Sequence, residues 1–224
     1  QHTLHNPYVC IAEQQTAGRG RRGRVWDSPA GSGLYFSIAW RIADIEAWQG
    51  LSLAIGLVLL QTLEKHLAVQ NLQLKWPNDI LYADKKLGGV LIEIVRDATN
   101  APVLVIGAGI NCQRNTAAIE EPDNERAYLS ETVDELDKNQ LVAELITTII
   151  FLLQDYESKQ FTAYRADWER YDAYREREVV LLSAGNITIA GIERGVNARG
   201  ELRVDVDGVI RTVNAGELSL RLAG

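Results

Sequence analysis

The sequence predicts an α+β protein, in which a mixed β-sheet with packed helices is followed by a small all-β unit. The first observation is a set of short apolar runs bounded by turn-forming residues, typical of strands, at 8–13, 33–40, 72–76, 89–95 and 103–110. The second is a pair of longer apolar segments, 47–67 and 138–157, that favour helices. The third is a change of pattern after residue 178, where short strands alternate with glycine-containing turns.

Composition and charge are those of an ordinary globular chain. Its 224 residues are 46% hydrophobic and 24% charged, which suits one large domain and a small one. The net charge of -7 argues against a general attraction to nucleic acid or to an anionic membrane. Cys10 and Cys112 form no metal or redox motif, so both are expected to be buried in a cytoplasmic protein. No apolar run reaches the roughly 20 residues of a bilayer span, so no membrane attachment is expected.

The segment GRGRRGR at 18–24 joins the first two predicted strands. Guanidinium groups bind phosphate or carboxylate oxygens in pairs, and glycines let the backbone approach a ligand closely. The segment therefore predicts an anion-binding loop. We expect it to be disordered without ligand, because its charges repel one another and its glycines resist ordering. The alternative is a nucleic-acid-binding Arg/Gly segment, but a disordered tail of that kind would not connect two core strands.

A second motif, KWPND at 75–79, follows the first predicted helix and a strand. Pro77 ends the strand, so the side chains of Asn78 and Asp79 are free to bind a metal ion or a sugar hydroxyl group. Pro-Asn-Asp is also a common turn tripeptide, and from these residues alone the turn remains the alternative.

Lys86 begins the strand KLGGVLIEI, in which Gly88 and Gly89 leave room for a ligand or another backbone. Its ammonium group can stabilise negative charge that develops on an acyl or phosphoryl oxygen. The alternative is an exposed lysine that protects an edge strand from aggregation. Asn111, after the glycine-rich strand VIGAGI, either contacts a nucleotide or closes a turn.

The second half of the sequence is less specific. The polar, acidic stretch beyond Asn111 predicts a mobile loop that covers a site. Asp137 followed by Gln140 indicates the start of the second helix, and a further short helix is expected after 161. Short strands over 178–222 predict a unit about the size of an SH3-like barrel, which is marginally stable alone and should pack on the main domain.

The motifs GRGRRGR, KWPND, KLGGVLIE and GAGIN, in this order, make the sequence resemble the biotin protein ligases over nearly its whole length. The resemblance implies a catalytic domain over 1–175, similar to class II aminoacyl-tRNA synthetases, and an SH3-like domain over 176–224. It also implies that biotin, ATP and Mg²⁺ give biotinyl-5'-AMP. The biotinyl group then passes to a lysine of the biotin carboxyl carrier protein of acetyl-CoA carboxylase.

The same resemblance assigns the biotin and adenylate contacts to the loop and its flanks. Arg19, Gly20 and Arg21, with Gln15 before them, match the segment that folds over biotin and the adenylate phosphate. Trp26 matches an aromatic residue that walls the intermediate. Arg21 is therefore a candidate catalytic residue as well as a binding residue.

Four further residues complete the site that the resemblance implies. Lys86 matches the lysine that contacts the biotin carboxylate and the phosphate, which makes it the second catalytic candidate. Asn78, Asp79 and Asn111 match positions near ATP, and Asp79 is the candidate magnesium ligand.

Some expectations concern parts that this sequence does not match. In the family, a Ser-Thr-Asn motif that contacts biotin lies further upstream, and residues 1–13 do not match it. Either that part of the biotin pocket lies before Gln1 in the natural protein, or this chain has lost it. DNA binding would require a helix-turn-helix domain still further upstream. A homodimer through the strand at 89–95 is plausible. Lipoate or octanoyl transfer, and the nucleic-acid-binding effector domain of a biotin-responsive repressor, remain alternative functions.

Overall fold

The computed structural model describes residues 7–114, 126–133, 135–216 and 218–223. The larger unit contains a six-stranded sheet. Its strands are β1 (Tyr8–Ala12), β2 (Gly33–Arg41), β3 (Leu72–Lys75), β4 (Asp79–Tyr82), β5 (Lys85–Arg96) and β6 (Pro102–Asn111). They lie side by side in the order β1-β2-β6-β5-β4-β3. The loop after β1 and the turn before β4 are therefore carried by one sheet, although Arg21 and Asn78 lie 57 positions apart in sequence.

This sheet is antiparallel at every strand pairing between described residues, so the prediction of a mixed sheet is wrong. Strands β3 to β6 follow one another through short connections, which reverse the chain direction each time. The sequence reading also missed β4, which it treated as part of a turn. Ala83 and Asp84 instead have φ values of 49° and 61° and form a two-residue hairpin turn between β4 and β5.

Three helices accompany the sheet in the described part of the chain: α1 (Leu51–Leu67), α2 (Lys138–Lys159) and α3 (Arg165–Tyr171). Helix α1 packs between β3, β5 and α2. It begins after Gly50 rather than at 47, because Gly50 has a φ of 75°, which a right-handed helix does not allow. The predicted start of α2 is confirmed, since the Asp137 carboxylate accepts a hydrogen bond from the Gln140 amide at 3.0 Å.

A second antiparallel sheet follows, in the order β10-β9-β8-β7-β11. Its strands are β7 (Glu178–Ser183), β8 (Asn186–Val196), β9 (Leu202–Val206), β10 (Val209–Val213) and β11 (Ser219–Leu222). The buried indole of Trp76 donates a hydrogen bond to Gly200 O at 3.0 Å, which ties the turn before β9 to the larger unit. Buried residues of both sheets belong to one hydrophobic core, so the second sheet packs on the first as expected.

The environments of the two cysteines differ. Cys112 is buried, as predicted, but Cys10 is exposed, so that expectation is wrong. Cys10 lies in β1, an edge strand that also leaves Tyr8 and Ile11 exposed. No helix within the described ranges is long and apolar enough to cross a bilayer. Most of the predicted mobile loop, residues 115–125, and residue 134 lie outside the described residues.

Candidate active site

A cavity of about 400 Å³ lies between the loop that contains GRGRRGR and the larger sheet. Most of the site residues predicted from sequence line it: Gln15, Arg19, Gly20, Arg21, Trp26, Asn78, Asp79 and Lys86. The loop after β1, the turn after β3 and the first residues of β5 meet here because their strands belong to one sheet, in which β6 alone separates β2 from β5. The cavity is large enough for a small-molecule ligand.

The Arg/Gly loop is folded back on itself over this cavity. Gly20 N donates to Arg24 O at 2.7 Å, and Trp26 N donates to Gly18 O at 2.9 Å. Between these bonds Arg22 has a φ of 62° and Gly23 a φ of 70°, which gives the sharp bend. The backbone thus presents arginine side chains to both sides of the loop. That the loop is disordered without ligand and becomes ordered when a ligand binds stays a prediction.

Arg21 connects three parts of the chain. Its Nη2 atom donates to Ala215 O at 2.8 Å and Gly216 O at 2.9 Å, in the segment between β10 and β11. Its Nη1 atom lies 3.4 Å from Asn78 Oδ1. Arg21 therefore holds the loop, the KWPND motif and the second sheet together at the cavity.

Positive charge is crowded around Arg21. Burial lowers the pKa of its guanidinium group, and although Asp79 opposes this shift, Arg22 and Arg24 add to it. Like charges placed this close raise the energy of the loop, and an anionic ligand between them would relieve the repulsion. This electrostatic arrangement suits a phosphate or a carboxylate.

Arg19 and Gln15 lie at the edges of the site. Arg19 Nη2 pairs with Glu93 Oε2 at 2.8 Å, and its side chain is 69% exposed. The amide oxygen of Gln15 accepts a hydrogen bond from Ser28 Oγ at 2.7 Å. Both residues line the cavity, but their side chains are held at its rim.

Lys86 lies at the start of β5, as predicted, and its ammonium group points to the middle of the site. Lys86 Nζ donates to Asp79 Oδ1 at 2.6 Å and lies 5.1 Å from the centre of the Trp26 ring. The indole faces of tryptophans attract cations, so Trp26 and Asp79 together fix the ammonium group. A cation held beside a carboxylate in a part-buried cavity can change partners when an anionic ligand enters.

Trp26 owes its position to a glycine of the GAGIN motif. A Cβ atom on Gly109 would lie 2.6 Å from Cε2 of the Trp26 ring, closer than atoms can pack. The indole Nε1 of Trp26 is buried and has no hydrogen-bond partner among the described residues. An acceptor atom of a ligand would satisfy it.

Asn111 is the one predicted site residue that does not line the cavity. It is 7% exposed, and its amide nitrogen donates to Lys86 O at 3.1 Å and Ala127 O at 3.2 Å. Both N–H bonds of the side chain are thus directed at backbone carbonyls, so the amide donor does not face a nucleotide here. Asn111 thus stabilises the backbone at Lys86 through a hydrogen bond.

Sequence reasoning missed the contribution of the second sheet. Leu218, Ser219, Leu220 and Arg221, in and just before β11, line the cavity opposite the larger sheet. The sequence gives little indication of this contribution. Arg221 is a charged residue in a short apolar strand, and a solvent-exposed strand residue without any binding role has the same pattern. Only the packing of the two sheets places it beside Arg21.

The candidate magnesium ligand has a suitable but small donor set. Among the described residues no cluster of three or more His, Cys, Asp or Glu side chains is formed. Asp79 offers one carboxylate beside the Asn78 amide. Mg²⁺ in nucleotide sites keeps several waters and binds one or two protein carboxylates together with phosphate oxygens. The residues present therefore fit a metal ion that arrives with a nucleotide.

Comparisons of the sequence and of the structure with known proteins identify the same family. Residues 1–111 match the model of the biotin/lipoate A/B protein ligase family. The bifunctional ligase/repressor BirA of Salmonella typhimurium is 40% identical over 98% of this chain and 68% of its own length. The biotin--[acetyl-CoA-carboxylase] ligase of Mycobacterium tuberculosis is 34% identical over 94% of this chain and 77% of its own.

Among solved structures, the biotin protein ligase of Aquifex aeolicus in complex with biotin and ATP superposes with a TM-score of 0.83. It is 29% identical, and the match covers 100% of this chain and 92% of that one. The likeness thus extends through both sheets, including the cavity between them. With a relative 40% identical that is matched over two thirds of its length, the chain belongs to the biotin protein ligase family.

Proposed function

We propose that this chain activates biotin with ATP and transfers the biotinyl group to a lysine of a biotin carboxyl carrier protein. The observation that carries the proposal is the convergence of Arg21, Lys86 and Asp79 on one cavity. In the first step, a biotin carboxylate oxygen attacks the α-phosphorus of ATP and pyrophosphate leaves. In the second, the carrier's lysine amine attacks the acyl carbon, and AMP leaves with the bonding electrons.

The first step must bring two anions within bonding distance against their repulsion. Coulomb repulsion between unit charges a few Å apart reaches several kcal/mol near a protein surface, about 4 kcal/mol at 4 Å with an effective dielectric constant of 20. Arg21 and Lys86 supply two positive charges to the lining of the cavity, one from the loop and one from β5. They lower this cost before the reaction begins, which is how preorganised charge accelerates a reaction.

Lys86 can exchange its ion-pair partner Asp79 for the anionic substrates. When the biotin carboxylate and the α-phosphate enter, Lys86 Nζ moves from Asp79 Oδ1 to their oxygens, a small displacement for a lysine side chain. The freed Asp79 carboxylate and Asn78 are the residues that would hold Mg²⁺, which would neutralise charge on the triphosphate. Trp26 and the loop around Gly20 cover the acyl-phosphate bond and exclude water from it.

Several finer expectations remain proposals. We assign the catalytic domain to 1–175, with a class II synthetase-like fold, and an SH3-like barrel to 176–224, supported by the antiparallel sheets of each unit. A cytoplasmic location is supported by two unpaired cysteines. A homodimer is supported by β5, which pairs with β4 only as far as Gly89 and leaves Ile94 and Val95 exposed. DNA binding would require a further domain.

Release of pyrophosphate tests the proposed function. The protein, incubated with ATP, Mg²⁺ and biotin, should release pyrophosphate and label the carrier domain with biotin. Substituting lipoate or octanoate for biotin should give neither product. Activity with lipoate or octanoate but not with biotin would move the chain to the lipoate branch of the family. Tight binding of duplex DNA at physiological salt, without pyrophosphate release, would favour the nucleic-acid alternative.

Gly109→Ala is expected to weaken retention of biotinyl-5'-AMP by about ten- to a hundredfold. The new methyl group displaces the Trp26 ring, and overpacking of this kind costs about 1–3 kcal/mol. The measurement is the rate at which labelled adenylate dissociates. Gly107→Ala is the comparison in the same strand and in the same cavity lining, because its methyl group would meet no protein atom closer than Leu91 O at 3.7 Å and leaves the Trp26 ring in place. Equal effects of the two substitutions would contradict the role given to Gly109.

A further inference from the structure

Two carboxyl side chains meet where the second sheet joins the larger unit, away from the cavity. Asp172 follows α3, and the next amide, Ala173 N, donates to Leu74 O of β3 at 2.9 Å. Glu193 lies in β8, is 0% exposed, and its backbone pairs with the segment that leads out of the larger unit. The Glu193 carboxyl group lies close enough to Asp172 for its charge to act on the Asp172 carboxyl group. They therefore link β3 and α3 to the second sheet.

Each carboxyl group has one satisfied and one unsatisfied oxygen. Asp172 Oδ1 accepts from Tyr174 N at 3.1 Å, and Glu193 Oε1 accepts from Gly195 N. Asp172 Oδ2 and Glu193 Oε2 are buried and receive no hydrogen bond from any N–H or O–H donor within the described residues. Two ionised carboxylates have no proton to donate, so a hydrogen bond between them requires that one is protonated. A single shared proton satisfies both oxygens.

The charges around the pair do not replace this proton. Arg175 acts on both groups, but its Nη1 atom is bonded to Glu169 Oε2 at 2.8 Å, and Glu169 also binds Arg165 at 3.0 Å. Arg194 pairs with Glu176 and with Asp205. The charged groups on the elements packed around the pair are Arg165, Asp167, Glu169 and Arg170 of α3, Lys75 of β3, Arg175, Glu176 and Arg177 of the linking segment, Glu178 of β7, Arg194 of β8, and Arg203 and Asp205 of β9.

Burial and mutual repulsion raise the proton affinity of the pair. Burial raises the pKa of Asp172 well above its usual range, and the neighbouring Glu193 charge raises it further. Burial also raises the pKa of Glu193, although the hydrogen bonds from Asp172 and from Gly195 N favour its charged form. The pair as a whole therefore binds one proton more tightly than an ordinary carboxyl group does.

We propose that Asp172 and Glu193 share one proton across the junction of the two sheets, and that losing this proton at rising pH loosens the second sheet from the larger unit. Two buried, unscreened negative charges would then face each other at the junction. The second sheet supplies the Ala215 and Gly216 carbonyls that hold Arg21, and β11 lines the cavity. If the proposed ligase function holds, the pair therefore makes retention of the adenylate sensitive to pH from outside the substrate site.

The direction of the pH effect follows from linkage. Asp172 has a higher pKa in the folded chain than in the unfolded chain, so between these two values the folded state binds a proton that the unfolded state has released. The stabilisation is fully present below the unfolded pKa and is lost as pH rises through the folded pKa. Stability must therefore fall with increasing pH in this window, by a factor of about ten in the unfolding constant per pH unit for one proton.

Asp172→Asn and Glu193→Gln test the shared proton directly. Each amide can donate to the remaining carboxylate as the proton does, but without titrating. Urea unfolding is measured over a series of pH values for the parent and both variants. The unfolding constant of the parent should rise about tenfold more per pH unit than those of the variants. Glu178→Gln, an exposed carboxylate at the start of β7, is the control and should follow the parent.

Parallel pH dependence in the parent and both variants would overturn the shared proton. Infrared spectroscopy of the native proteins provides a second measurement that needs no unfolding. At neutral pH the parent should show the carbonyl stretch of a protonated carboxylic acid, and this band should be absent from both variants. Its absence from the parent would overturn the proposal even if one variant failed to fold.

Dissociation of labelled biotinyl-5'-AMP tests whether the proton of the Asp172–Glu193 pair affects retention of the adenylate in the cavity. The parent should release the adenylate faster as pH rises, and Glu193→Gln should release it at a rate that changes less. Equal pH dependence of release, together with different unfolding curves, would overturn the loosening of the second sheet while supporting the shared proton. Failure of the parent and both variants to bind or make the adenylate would overturn the proposed function, whereas the unfolding curves and the infrared band decide the shared proton independently.

Discussion

Lys86→Ala is expected to slow formation of biotinyl-5'-AMP by about a hundred- to a thousandfold, the usual effect of removing one positioned electrostatic stabiliser. The Lys86 ammonium group lies 5.1 Å from the centre of the Trp26 ring, and once the substrates have replaced Asp79 as its partner it is already in place for the chemical step. The measurement is the single-turnover rate of pyrophosphate release with saturating biotin and ATP. The loss should appear in this rate more than in substrate affinity, because the charge that Lys86 stabilises develops in the transition state.

Lys85→Ala is the matched control for this result. Lys85 is the preceding residue of β5 and is exposed, on the other face of the strand from Lys86. Its loss removes the same charge from the protein without changing the cavity, so the rate should stay near that of the parent. Similar losses in both variants would mean that net charge, and not the position of Lys86, determines the rate.

Arg21→Gly is expected to release the adenylate intermediate about ten to a hundred times faster than the parent. Hydrogen bonds to charged groups contribute about 1.5–3 kcal/mol, and Arg21 is the residue that joins the loop to Ala215, Gly216 and Asn78. Without it the loop over the cavity loses its attachment to the second sheet. The measurement is the escape of labelled biotinyl-5'-AMP into solution, followed by nonselective labelling of added proteins.

Arg22→Gly separates the contacts of Arg21 from the flexibility and charge of the loop. Arg22 is exposed and already has a φ of 62°, a conformation that glycine adopts without strain. The variant loses the same charge and gains the same backbone freedom as Arg21→Gly. Arg22 also lines the cavity, so the loss of its charge weakens binding of the anion, but the variant keeps the contacts of Arg21 with the second sheet and should retain the intermediate better than Arg21→Gly. If both variants leak equally, the contacts of Arg21 with the second sheet are not what closes the loop.

The secondary structure was predicted correctly where interactions between residues close in sequence determine it. The strands at 33–40 and 103–110, the start of α2 at Asp137 and the strand beginning near Lys86 are confirmed, because alternation and capping act within a few residues. The missed strand β4 depended on Ala83 and Asp84 both adopting positive φ, which alanine rarely does, although aspartate does so more often than most residues other than glycine. Pairing with β5 stabilises that conformation, and pairing is a tertiary contact.

The candidate site likewise contains residues that the sequence predicted and contacts that it did not. The composition of GRGRRGR predicted an anion-binding loop, and KWPND and Lys86 were recognised from their positions at strand ends, because donor chemistry is a property of residue type. The part played by Arg221 and by the Ala215 and Gly216 carbonyls had no local signal, since every residue has a carbonyl group. The orientation of Asn111 towards Lys86 O was equally invisible, because its amide could face either the cavity or the backbone.

By itself, the sequence determined the α+β character of this chain, the positive charge of its loop and the resemblance to biotin protein ligases. These depend on residue types, their order and their spacing. The tertiary structure decided that the sheet is antiparallel, that the second sheet forms one wall of the cavity, and that Asp172 and Glu193 meet at the junction. Contacts between residues far apart in the chain depend on how the two units pack, and that packing is a sum of many small interactions that no short segment encodes.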